Sequence, residues 1–197
     1  MDYATSSANR TLIVGAATKA GKTCWYVWMN GNGGALWTTV VVPMDHGGGG
    51  RFDGFGTSTD GFIAVRQGTT AGGRPDAVVY RSSNAVDWRF QTTITGPAGF
   101  SPVQVTGSAG ALAGFAIGGR DGQGNLVVDE SMDNAVRWTP SRSFGQVSVG
   151  QSLGVAMLPD GTVVIAGAAP SHSGQPQLLE VASQGTNSRT VTLSSTH

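Results

Sequence analysis

The residues of this chain best able to do chemistry are few and far apart. Gly15-Ala-Ala-Thr-Lys19-Ala-Gly21-Lys22-Thr23 looks at first like an anion-cradling loop, in which backbone N–H groups and a lysine hold a phosphate. Its glycines stand six apart instead of the five such a loop needs, and apolar runs with strand character flank it on both sides. It therefore reads as an ordinary loop between strands. His46 and His172 are the two internal histidines, and no Cys/His spacing around them suits zinc. Asp121-Gly-Gln-Gly-Asn125 is oxygen-rich but lacks the remaining ligands of a calcium loop. Ser, His and Asp are all present, yet no Gly-x-Ser-x-Gly elbow displays a nucleophile. No catalytic residue, metal or cofactor is expected.

The elements that would position these residues repeat. Trp37, Trp88 and Trp138 each follow a polar turn: Asn30-Gly-Asn32-Gly-Gly-Ala-Leu, Arg81-Ser-Ser-Asn84-Ala-Val-Asp, and Ser131-Met-Asp133-Asn-Ala-Val-Arg. Each turn follows an apolar strand: 25–29, 77–80 and 126–128. A loop separates that strand from an earlier one: Thr11-Leu-Ile-Val-Gly, Phe62-Ile-Ala-Val and Leu112-Ala-Gly-Phe-Ala-Ile. The earlier strand begins 26 residues before the Trp in all three copies. The same offset places a fourth copy at Val163-Val-Ile-Ala-Gly, with Leu178-Leu-Glu as its next strand and Arg189 where Trp would stand. Thr59-Asp-Gly61, Ala109-Gly110 and Pro159-Asp-Gly161 mark a hairpin turn ahead of the apolar strand. Each copy thus holds four strands, the last of them following the Trp.

Composition agrees. The chain carries 31 Gly and 8 Pro among many Val, Thr and Ser, the makeup of short strands joined by tight turns. Four-stranded units repeating about every 50 residues suit a radial all-β architecture better than a two-sheet sandwich. The reading is a single all-β domain over 1–197, a β-propeller of four blades at about 1–50, 51–101, 102–152 and 153–197. Four blades could close alone or form half of a larger ring made by a homodimer. Only 12% of residues are charged and the net charge is zero, so neither nucleic acid nor an anionic membrane is an expected partner. No apolar run is long enough to span a membrane. The lone Cys24 excludes an intrachain disulfide and reads as a packed small residue. The first residues lack a basic segment and an apolar core, so no signal peptide is read there. The expected place is extracellular or on the cell surface, as a mature domain, with a cytoplasmic one left open.

These turns carry a family resemblance. Ser131-Met-Asp133-Asn-Ala135-Val-Arg-Trp138 resembles the Asp box of BNR repeats in sialidase-like propellers, with Ala135 at the customary Gly. Ser82-Ser-Asn84-Ala-Val-Asp-Trp88 is similar to a shorter variant, with Asn and Ala substituted. Asn30 to Trp37 keeps Gly and Trp but has Asn for Ser and Asp. The resemblance implies a propeller fold. In it Asn32, Asn84 and Asp133 cap turns, and Trp37, Trp88 and Trp138 wedge between sheets. It implies nothing about activity, because in that family this turn lies away from the active site. Sialidase chemistry would need three arginines gripping a carboxylate, a Tyr/Glu pair and an acidic Asp. Arg66 and Gln67 end an apolar strand and Arg120 nearly does, yet no matching set runs through the copies, and the family's Arg-Ile-Pro type motif is missing.

If a ligand is recognised, the longest loops should do it. They hold Lys19 and Lys22, Arg74 and Asp76, Arg120 and Asp121, His172, and His46 with Arg51. The expectation is a non-catalytic module that recognises a glycan or protein ligand. A sialidase-like glycoside hydrolase and a self-assembling scaffold are the rival readings.

Overall fold

The computed structural model describes residues 3–7, 10–19, 22–31, 37–42, 52–69, 72–73, 75–97, 100–107, 114–139, 142–146, 154–168, 176–181 and 188–192. These residues are all strands and turns. The first sheet contains β1 (Tyr3–Ser7), β2 (Arg10–Lys19), β3 (Lys22–Gly31) and β4 (Trp37–Val41). The second contains β5 (Phe52–Ser58), β6 (Gly61–Thr69), β7 (Pro75–Ser82) and β8 (Arg89–Ile94). The third contains β9 (Ser101–Gly107), β10 (Phe115–Arg120), β11 (Asn125–Ser131) and β12 (Arg142–Gln146). The fourth contains β13 (Gly154–Met157), β14 (Val163–Ala168), β15 (Pro176–Val181) and β16 (Ser188–Thr192). In every sheet the strands lie in chain order and pair antiparallel. The expected all-β chain of four copies with four strands each is what the residues form. Among the described residues no helix is long and apolar enough to cross a membrane.

The strands form because their side chains suit a pleated surface that is covered on both faces. Phe62 to Arg66 is buried without a break, and so is Leu126 to Ser131. A sheet with one wet face would alternate instead. The turns form for local reasons. In the β5–β6 hairpin the Ser58 hydroxyl accepts from the Asp60 N–H at 3.3 Å. In the β13–β14 hairpin the Asp160 carboxylate accepts from the Thr162 N–H at 2.9 Å, and Gly161 takes the left-handed conformation at φ 87°.

The sheets stack in chain order, each sharing one core with the next. Leu12, Val14, Trp25 and Val27 of the first sheet pack against Phe62, Ala64, Val78 and Tyr80 of the second. The opposite face of the second sheet, with Ile63, Val65, Ala77 and Val79, meets Phe115, Ile117 and Val127 of the third. The far face of the third, with Ala116, Leu126 and Val128, meets Val155, Met157, Val163 and Ile165 of the fourth. Trp25 and Trp28 have opposite parity on β3, and only Trp25 belongs to the first of these cores. Cys24 is half-buried on Trp28's side of the strand.

Opening strands run beside one another: β1 by β5, β5 by β9, and β9 by β13. The β5–β9 approach is close enough to demand glycine. A Cβ on Gly54 would stand 2.6 Å from Val105 Cγ2 and 3.0 Å from the Val105 backbone nitrogen. One expectation needs a correction. Phe115, not Leu112, holds the place of Phe62, because Phe115 opposes Ser131 as Phe62 opposes Ser82. The equal spacing to Trp in the third copy comes from a shorter loop, not from matched register. The Ala109-Gly110 turn expected there lies outside the described residues.

Gly54→Ala is expected to destabilise the fold by about 1–3 kcal/mol, since Val105 and its backbone must give way. Ser83→Ala on an exposed turn should stay within about 0.5 kcal/mol. Urea denaturation of the two variants checks this; an unchanged midpoint for Gly54→Ala would contradict the close approach.

Candidate functional site

Those candidate ligand residues that the structure describes lie at one end of the sheets, where β5 and β9 begin and β6 and β10 end. The β5–β6 pairing slips by one residue between Phe52 and Gly54, leaving Asp53 in a bulge. The Asp53 carboxylate accepts from the Gln67 N–H across the pair. A bulge re-aims a side chain in this way. Nothing in the motif reading pointed to Asp53; the Asp-Gly pair before an aromatic was the available sign.

Arg66 alternates with Phe62 and Ala64, so it lies on the face turned to the first sheet, and it is fully buried. Asp76 shares that face, one pair further along, opposite Gly68. A Cβ on Gly68 would stand 2.5 Å from the Asp76 carboxylate, so the glycine makes the space that Asp76 occupies. Burial pushes the Asp76 carboxyl up from its ordinary value, and the Arg66 charge opposes that rise. Asp76, expected on an open loop, is thus a buried partner of Arg66's charge.

The third sheet treats its candidates differently. The Asp121 carboxylate closes the β10–β11 turn. It accepts from the Gln123 N–H at 2.9 Å, the Asn125 N–H at 2.8 Å and the Asn125 side-chain amide at 2.8 Å. These bonds, led by the Asn125 side chain, hold its carboxyl below the ordinary aspartate value. Gly124 supplies the left-handed residue of the turn at φ 81°. Arg120 is half-buried and alternates with Ala116 and Gly118, so the register places it on the side of the fourth sheet. Arg66 and Arg120 therefore diverge, one towards the first sheet and the other towards the fourth.

Lys19 and Lys22 oppose each other at the ends of β2 and β3. His46, Arg51, Arg74 and His172 lie outside the described residues, as does Asn32. Among the described residues no three His, Cys, Asp or Glu side chains group as metal ligands.

The Trp-bearing turns occupy the other end of the sheets. Asn84 Oδ1 accepts from Val86 N–H at 2.9 Å and Asp87 N–H at 2.8 Å, and Ser82 donates to it at 3.1 Å. Asp133 Oδ1 accepts from Arg137 N–H at 2.8 Å and from the Ser131 hydroxyl at 3.0 Å. Short side chains of this kind satisfy a tight turn's N–H groups. Ala85 and Ala135 adopt φ of 62° and 64°, the conformation glycine usually supplies, and both are fully buried. Trp88 donates its indole N–H to Ala85 O at 2.9 Å and sits in the core shared with the first sheet. Trp138 packs against the core shared with the second. Asn134 also reaches back to the second sheet, donating to Asp60 O at 3.3 Å. Trp37 holds the corresponding place in the first sheet but is 47% exposed.

An ion pair with a buried carboxylate was not singled out by motif. Glu130, 1% exposed, is bound by Arg142 from the adjacent strand β12. Burial pushes the Glu130 carboxyl up, and the charge and hydrogen bond of Arg142 act against that.

No protein-family model and no curated protein matches the chain. Solved structures do share its fold. A protein of unknown function from Dyadobacter fermentans DSM 18053 matches with TM-score 0.59 at 12% identity, over 94% of this chain and 60% of that one. The Hadza microbial sialidase Hz136 matches with TM-score 0.57 at 12% identity, over 88% of this chain and 37% of that one. A NanB sialidase mutant from Streptococcus pneumoniae matches with TM-score 0.54 at 13% identity, over 81% of this chain and 26% of that one. A prolyl endopeptidase matches with TM-score 0.57 at 12% identity, over 98% of this chain and 29% of that one. The chain spans between 26% and 60% of the length of these structures. A likeness at this identity is one of fold.

The charged turns have measurable consequences. Asn84→Ala removes three accepted bonds and should cost about 1–2 kcal/mol in urea denaturation. Arg142→Ala leaves Glu130 buried without its cation and should cost about 3 kcal/mol near pH 7. Glu130 has a raised folded value, so its neutral form favours the fold, and lowering the pH lets it protonate. The Arg142→Ala deficit should therefore shrink towards about pH 5. A deficit equal at both pH values would contradict the burial of that charge. Asp133 behaves oppositely. Burial tends to raise it, but the bonds from Arg137 N–H and Ser131 and the Arg137 charge outweigh this and hold it below the usual value. Its contribution is present above about pH 4 and lost as pH falls further, so Asp133→Asn should flatten the acid limb of the stability curve.

Proposed function

We propose that the chain is a set of four propeller blades serving as a non-catalytic recognition module, with a glycan or a protein as its ligand. The observation that carries this reading is the use already made of the charged groups at the candidate end. Arg66 and Arg120 face away from each other across two sheets. Asp76 is buried in the space left by Gly68, and Asp121 is committed to its own turn. An acid–base or carboxylate-gripping centre needs such groups to converge within hydrogen-bond reach of one substrate atom. These residues hold the strand ends and turns together, and loops set on such a scaffold can recognise a ligand.

The blade reading is supported by the order of the stack. Sheets meet face to face in sequence while their first strands run side by side. The likeness to sialidases keeps a glycoside hydrolase as the second reading. An array of sialylated and neutral glycans, paired with a fluorogenic sialoside assay, separates the two. Binding without turnover is the expected result. Turnover that survives repurification and is lost on Arg66→Lys would overturn the non-catalytic reading. Silence on both would turn the search to protein ligands by affinity capture.

A further inference from the structure

Three of the four sheets bury the face turned to the sheet before them, and the first sheet has the same kind of face with nothing packed on it among the described residues. In the second sheet that face carries Ala64, Val78 and Tyr80, 0%, 3% and 0% exposed. The pairing Ile13↔Trp28 and Gly15↔Tyr26 puts Ile13, Tyr26 and Trp28 at the corresponding places in the first. Tyr26 and Trp28 stack with ring centroids 6.0 Å apart and planes 30° from parallel. In register with them, Val41 is 53% exposed and Trp37 is 47% exposed. Trp88 and Trp138 each wedge against the preceding sheet. Trp37 is placed to do the same against a sheet that the described residues do not supply there. Scattered apolar residues on a surface need no partner, but a contiguous aromatic and aliphatic face marks a contact.

The other end of the stack offers a matching face. Val163 and Ile165 pack on the third sheet, so the alternate positions of β14 face away from it. The register places Val164 and Ala166 of β14 where Ile63 and Val65 stand in the second sheet, and Leu178 of β15 in the place of Val79. Positions of that kind pack onto the following sheet in each contact already described. The two end faces are therefore complementary by repeat. Within one chain they do not meet in the way successive sheets do: β13 is not brought beside β1 among the described residues as β5 is. Propellers usually hold about four to eight blades, which allows one or two copies of a four-sheet chain.

We propose that two copies of this chain join head to tail, the fourth sheet of each covering the first sheet of the other, and close an eight-sheet ring. The proposal rests on the blade reading above. A contact between two different faces extends into an open chain unless its rotation closes, and two equivalent contacts related by a twofold axis close it.

Light scattering on the purified chain tests this. The expected mass is twice 20.1 kDa, held on dilution from about 100 µM. Trp28→Lys and Val164→Lys should each reduce it to that of one chain with the β-sheet circular dichroism retained. Trp37→Lys, at an exposed position, guards against loss of folding at Trp28. Mixing the Trp28→Lys and Val164→Lys chains should restore the double mass, since that pair retains one intact first sheet and one intact fourth sheet. A wild-type mass of 20.1 kDa overturns the second copy as occupant and leaves the blade reading standing. A double mass unmoved by Trp28→Lys and Trp37→Lys overturns the sheet-on-sheet contact itself. Masses of three or more copies overturn the closed ring.

Discussion

The second and third sheets of this protein each have two apolar faces and hide both. A sheet in a sandwich covers one face and wets the other, so its strands alternate. Here β6 and β11 are buried along runs of consecutive residues, and each run divides between two cores, odd positions to one neighbour and even to the other. The requirement fixes the order of stacking, the glycine-lined approach of β5 to β9, and the size of the residues at each contact. Burial of a large aliphatic or aromatic side chain contributes roughly 1.5–3 kcal/mol, so three shared cores are the main source of stability.

Charge enters this stack with its compensation arranged. Arg66 and Asp76 lie on one face, with Gly68 of Arg66's own strand opposite Asp76, and Glu130 is bound by Arg142. Taking an ion from water costs several kcal/mol, and its partner offsets most of that without adding much. Such pairs are weak contributors to stability but costly to break singly. The exposed carboxylates of Asp121, Asp133 and Asp160 play a simpler part, since each accepts N–H groups that a tight turn would otherwise leave to solvent.

The repeat was legible because Trp88 and Trp138 serve one geometry, a capped turn whose indole fills the core behind it. The hairpin at Asp160-Gly161 was legible because its turn needs a left-handed glycine and a carboxylate cap, and the one at Asp60-Gly61 because a Cβ on Gly61 would stand 2.9 Å from the Ser82 carbonyl oxygen. Other features were not. The bulge at Asp53 adds a residue without changing composition, so no periodicity betrays it. The fit of Leu112 to the repeat was a coincidence of loop length, since the true counterpart, Phe115, is set by its partner Ser131 across the ladder. The burial of Asp76 depended on Gly68, its partner on the adjacent strand, and spacing alone does not show which face a side chain takes. The exposure of Trp37 was hidden for a broader reason: a residue's own turn cannot tell it whether a neighbouring sheet is present.

The reach of contacts within the stack has a consequence for how such a chain can change in length. Among the described residues each sheet pairs its strands locally and makes its main contacts with the sheets directly before and after it, down to the Asn134 amide that reaches back to the Asp60 carbonyl. None of these contacts couples one unit to the next but one. Duplicating or deleting a segment of one period would therefore leave every remaining contact type intact, provided the new junction preserves the alternation of faces. A change in the number of units would therefore be felt at the two end faces and in the closure they make, and not in the contacts between.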